Sequence, residues 1–183
     1  MSTATHEGRG PAAATVAAVA AGALVSVLLG VYGRSHQPTG GTVVLLGFDS
    51  LISMKVTLAF VAGGLALVQG LTALWMYGRL GLRVPARLGV VHRATGVLAL
   101  LVSLPVAYHC LWSIGFETYD GRVLVHSLAG CLVYGVFVAK VVGLHIRGSR
   151  WLVPVAGSLL FTAVLAAVLT SAVWYVTSSS GGY

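Results

Sequence analysis

Five long runs of apolar residues, broken by short polar stretches, make up most of the chain. They fall near 12–33, 51–78, 88–113, 123–146 and 152–176. Each is long enough to cross a hydrocarbon core, which takes about 20 helical residues. The pattern predicts an all-α integral membrane bundle of five transmembrane helices over 12–177, with short disordered tails at 1–11 and 178–183. Only 8% of residues are charged and 57% are hydrophobic, whereas a soluble domain carries about a quarter charged residues. No room remains for a separate soluble domain, and no internal repeat is evident. The first run exceeds the roughly 7–15 apolar residues of a signal peptide, and Glu7 offsets the single Arg9 before it, so it reads as a retained helix.

Lys and Arg placement predicts the orientation. Arg79, Arg83, Arg87 and Arg93 cluster around the second connection, Arg147 and Arg150 fill the fourth, and Arg9 precedes the first helix. The first connection has Arg34, and the third has Arg122 beside Glu117 and Asp120. This predicts an inside N-terminus and an outside C-terminus. Trp75, Tyr77, Trp112, Trp151, Trp174 and Tyr175 fall where interfacial aromatic belts form. The net charge of +7 is then a topology signal. No soluble basic face exists to bind nucleic acid.

Four histidines stand near the ends of two consecutive spans: His92 and His109 on the third, His126 and His145 on the fourth. Consecutive spans joined by a short loop run antiparallel, so His92 is level with His145 at the inner surface and His109 with His126 at the outer. At 1.5 Å per residue, about 25 Å separates the two levels on the third helix and about 28 Å on the fourth. Pairing between levels is therefore excluded. Ionisable groups inside spans are costly and mark function, and histidine is an axial ligand of haem iron; another metal, a proton path and a purely structural role are the alternatives. Each level has two histidines and no Cys or carboxylate to complete four ligands, which disfavours zinc. The spacings also turn the ligand direction by about −100° along the third helix and about +100° along the fourth. That places the outer haem on the opposite side of the plane of these two helices from the inner one, unless Pro105 kinks the third.

Neighbouring residues fit the same site. Gly96 and Gly130 each follow a histidine by four residues, one turn along its face, where a missing side chain clears space for a flat macrocycle; small residues are also ordinary packing devices in membranes. Arg93 is placed to meet a propionate of the inner haem or to anchor the inner interface. Lys55 is placed to meet an outer propionate, a substrate, or simply the interface. Lys140 is rotated away from His145 and is expected to snorkel. His36 reads as a loop histidine before a proton-exchange or metal-capture group. Cys110 and Cys131 differ in depth, so no disulfide is expected.

The stretch His92-Arg93-Ala94-Thr95-Gly96, then Pro105, His109 and Cys110, then Arg122, His126, Gly130 and Lys140, resembles small b-type membrane cytochromes. It is similar to the cytochrome b and ferric-reductase type of haem bundle, and more closely to actinobacterial integral membrane proteins sharing a conserved domain of unknown function. The resemblance, concentrated in 88–150, implies two haem b groups, one on His92 and His145 and one on His109 and His126. It implies a multi-pass protein of a bacterial cytoplasmic membrane.

No GxGxxG, P-loop or CxxC motif occurs, so no nucleotide, flavin or iron–sulfur site is encoded. Three functions fit. One is a transmembrane oxidoreductase passing electrons between a quinol or redox partner and an acceptor. Another is a haem-bearing anchor subunit of a larger redox complex. The third is a haem-free transporter or assembly protein.

Overall fold

The computed structural model describes residues 10–41, 44–146 and 151–179. Arg9, Arg147, Arg150 and most of both expected tails lie outside them. Five helices form: α1 (Pro11–Ser35), α2 (Leu51–Met76), α3 (Leu88–His109), α4 (Gly121–Gly143) and α5 (Leu152–Val168). A π-helical segment, Cys110–Ile114, extends α3; a second, Leu169–Val173, extends α5 into a final turn, α6 (Trp174–Ser179). With these extensions all five are long and apolar enough to cross a membrane. No strand forms among the described residues.

Polar residues set the helix starts. Ser50 Oγ accepts from Ser53 N at 3.2 Å at the head of α2, and Asp120 Oδ1 accepts from Val123 N at 2.7 Å at the head of α4. Each supplies an acceptor for an amide that the helix cannot satisfy itself. Proline opens α1, where a missing N–H costs nothing.

The helices pack in the order α1, α4, α5, α2, α3. Small residues make the closest approaches, as they do where lipid supplies no hydrophobic drive between helices. A Cβ at Gly22 of α1 would collide with Gly135 O, and one at Gly135 with Gly22 O and the Ser26 side chain. On the α2–α5 interface Gly63 faces Val168 and Gly70 faces Phe161. The largest apolar side chains point outward, among them Leu24, Leu67, Leu101 and Leu159. Apart from Met54, the fully buried side chains among the described residues are small or polar, His109 the largest of them. This inside-out distribution belongs to a bundle dissolved in hydrocarbon.

α3 and α4 share no extended backbone interface of the kind that joins α1 to α4, α4 to α5 and α2 to α3. Side chains bridge them. Tyr134 Oη of α4 meets Ser103 O at 3.1 Å and Ser103 Oγ at 3.0 Å, roughly halfway along both helices.

Candidate functional site: four histidines at two ends of the bundle

At the end carrying the Arg79, Arg83 and Arg87 connection, here the basic end, His92 projects from α3 toward α2. Its Nδ1 lies 2.7 Å from Thr72 Oγ1. That hydroxyl has one proton, and its 2.8 Å bond to Val68 O uses it. Thr72 therefore accepts, His92 Nδ1 carries the hydrogen, and the Nε2 lone pair is left free. Gln69, one turn earlier, donates through Nε2 to His92 O at 2.5 Å and to Thr95 Oγ1 at 2.6 Å.

His145 is the other histidine of this end. α4 stops at Gly143, short of the expected 146. The chain leaves in tight turns, with His145 N bonded to Val142 O and Ile146 N to Gly143 O. His145 thus stands on an exposed turn past the helix, its Nδ1 donating to Val141 O at 3.0 Å. Helical rotation over nineteen residues no longer fixes its direction, so the expected mirror rotation of the two ligand pairs has a basis on α3 alone.

At the opposite, loop end, His109 is fully buried, its Nδ1 2.8 Å from Pro105 O and its Nε2 without a partner. It borders an apolar groove of about 470 Å³ lined by Val44, Leu46, Leu101, Leu104, Pro105 and Tyr108. The α1–α2 connection closes over this corner. Thr39 N and Gly40 N donate to Trp112 O and Ser113 O, Phe116 N donates to Gly33 O, and Ser113 Oγ donates to Gly41 O.

His126 projects from α4 onto the π segment of α5, its Nδ1 donating to Ala167 O at 3.1 Å. A π turn widens the backbone ladder and frees carbonyls from their usual partners. Here Ala167 O also accepts from Ser171 Oγ, and Thr170 O accepts from Arg122 at 2.7 Å. Arg122 lies over the Trp174 ring at 3.6 Å, a cation–π contact. The residue of α3 beside His126 and Lys55 is Cys110, whose thiol is within hydrogen-bonding reach of both.

The four rings therefore share one state. Each Nδ1 is held by an oxygen that can only accept, or whose single proton is already used, so each neutral ring keeps its lone pair on Nε2. Among the described residues, none of the four Nε2 atoms has a nitrogen or oxygen partner; at His126 the Cys110 thiol faces the ring. No hydrogen bond or ring contact joins His92 to His145 or His109 to His126 among the described residues. Nor does any group of three or more His, Cys, Asp or Glu residues there suit a bare metal ion.

The other expected residues divide. Space in front of Gly130 is open, whereas a Cβ at Gly96 would sit 3.2 Å from Gln69 Oε1. Gly96 thus makes room for an amide, and the clearance expected there is filled. Arg93 lies on the exposed face of α3, its guanidinium beside Gly89, pointing back to the basic end as an interfacial anchor does. Lys55 is half-buried among the loop-end groups. Lys140 extends over Gly157 of α5, within electrostatic reach of His92; the missing side chain at Gly157 admits it to a helix interface. His36 stacks between Tyr32 and Trp112, with ring centroids 5.1 and 4.6 Å away. The two cysteines are free, Cys131 packing against Gly30 of α1.

Residues 15–181 match the model of a family of unknown function, DUF6529. The chain belongs to that family. No curated protein and no solved structure matches it. Gln69, Thr72, Ser103 and Tyr134 did not stand out in the sequence, although an amide deep in an apolar run was a usable signal.

Proposed function

We propose that this protein carries electrons across a bacterial cytoplasmic membrane through two b-type haems. His92 and His145 would hold one at the basic end, His109 and His126 the other at the loop end. The observation that carries the reading is the common state of the four imidazoles, with Nδ1–H anchored on an oxygen and, among the described residues, no nitrogen or oxygen partner at Nε2; only at His126 does a thiol, that of Cys110, stand against the ring. A metal-bound histidine has its second nitrogen fixed in this way, which sets the tautomer and raises ligand basicity. The buried Nε2 of His109, with no partner, otherwise leaves a polar atom unsatisfied at a cost of about 1–3 kcal/mol.

Two further features support it. Packed helices stand about 8–10 Å apart, too close for an iron with an imidazole on each side; α3 and α4 are the neighbours that lack such packing. The space in front of Gly130 lies one turn from His126, where a macrocycle would lie flat. When bound, haem supplies a one-electron iron couple. The chain's own residues present four imidazoles at two ends of the bundle, bury that of His109 and, through Tyr134 and Ser103, tie the ligand helices together between them. Positively charged connections favour the basic end inside. Donor and acceptor are then a quinol in the bilayer or a partner redox protein.

The test is electron flow across a sealed membrane. Proteoliposomes with ferricyanide trapped inside, given external dithionite, should bleach the ferricyanide much faster than empty vesicles. Bleaching at the rate of empty vesicles would refute transmembrane transfer.

A further inference from the structure

Among the four rings, His92 alone depends at Nδ1 on a side-chain hydroxyl with no backbone carbonyl beside it; at His126 the Thr170 hydroxyl, 3.4 Å away, only supplements Ala167 O. We infer that Thr72 and Gln69 of α2 are positioning residues that set the tautomer of His92 and, through it, the redox potential of the basic-end haem. This inference rests on the haem reading. Neither residue has a direct path to iron; both act through His92.

Three observations carry it. Thr72 is buried and its proton is committed to Val68 O, so toward His92 Nδ1, at 2.7 Å, it can only accept. Gln69 grips the His92 carbonyl and Thr95 Oγ1, and Thr95 Oγ1 donates back to Val91 O at 2.8 Å. Gly96 leaves Gln69 the room to lie there. A glutamine and a threonine one turn apart inside a membrane helix are thus spent on a single neighbouring histidine. Polar groups in hydrocarbon are kept where they pair or serve function.

The chemistry gives the sign. An acceptor at Nδ1–H pushes electron density to Nε2 and makes the ring a stronger donor, which favours ferric over ferrous iron. Replacing the hydroxyl with a methyl of the same shape withdraws that push, so the ferrous form gains and the potential rises. At each of the other three rings a backbone carbonyl accepts from Nδ1, joined at His126 by Thr170 Oγ1 at 3.4 Å, and no side-chain substitution removes those carbonyls.

The experiment is a spectroelectrochemical titration of the purified protein, with Thr72→Val and Thr72→Ser beside the wild type. Wild type should titrate in two one-electron waves. Thr72→Val should move one wave upward, raising the reduced-to-oxidised ratio of that haem at fixed ambient potential by roughly tenfold (about 59 mV for one electron), or should lose that haem alone. Thr72→Ser, which keeps the hydroxyl, should restore the wild-type wave. Two haems with unchanged potentials in Thr72→Val would overturn the inference and leave the haem reading standing. Equal effects of Val and Ser would overturn it too, since packing rather than the hydrogen bond would then be at work. Wild-type protein without haem would overturn the inference together with the reading beneath it.

Discussion

The two ends of the bundle hold their histidines by different means. At the loop end a backbone carbonyl holds each ring: Pro105 O for His109, and Ala167 O, at the edge of a π segment, for His126, with Thr170 Oγ1 a longer second partner. The surroundings are fastened there as well, by the α1–α2 connection over His109 and by Arg122 on the π turn beside His126. At the basic end His92 depends on the side chains of α2, and His145 stands on an exposed turn beyond α4. Backbone carbonyls are fixed by the helix itself, whereas side-chain holders can be exchanged one at a time. The loop end is therefore the more rigid frame, and the basic end the one whose properties a single substitution can tune.

The largest effect expected separates the ends outright. His126→Ala should halve the haem content, from two per chain to one, and His109→Ala should remove the same haem. The double variant should lose no more than either single one, because the two ligands act as a unit. Haem content by pyridine haemochromogen, with titration to identify the surviving wave, checks this. Loss of different haems from the two variants would break the loop-end pair.

Gly130→Leu should act at the loop end alone. It fills open space, so helix content by circular dichroism should hold while loop-end haem affinity falls by roughly 10–100-fold, the usual cost of disturbing a metal site's surroundings. Gly96→Ala should act at the basic end, where its Cβ presses on Gln69. An overpacking cost of about 1 kcal/mol, read as a lower Tm in detergent, should come with a shift of the basic-end wave only. Arg122→Lys should cost about 0.5–1 kcal/mol through the weakened Trp174 contact, with both waves unmoved. Arg93→Gln, on the exposed face of α3, should change neither Tm nor potentials. A potential shift there would return Arg93 to the haem.

The comparison also shows what the sequence could convey. Span number and limits were legible to within a few residues, because hydropathy and length alone decide them. The end of α4 was not: apolar composition runs on to Ile146, while the helix closes at Gly143. Neighbour choice was harder. Helices apolar on every side carry no stripe to say which face meets which partner, so the packing partners of α3 and α4, consecutive and both histidine-bearing, could not be read from the chain. The two are bridged at Tyr134 and Ser103, while α3 packs on α2 and α4 on α1 and α5. The π segments left no hydropathy trace, and Cys110, not His109, is the α3 residue that reaches the His126 ring. The four histidines were visible as residues; what holds each Nδ1 depended on neighbours that only the fold brings near.

The most direct measurement is the dithionite-reduced minus air-oxidised absorbance spectrum of the purified protein, beside a variant with His92, His109, His126 and His145 all replaced by alanine. A b-type α-band in the wild type, quantified at two haems per chain and absent from the variant, is the predicted result. No α-band in the wild type, or one that survives loss of all four histidines, would contradict the account.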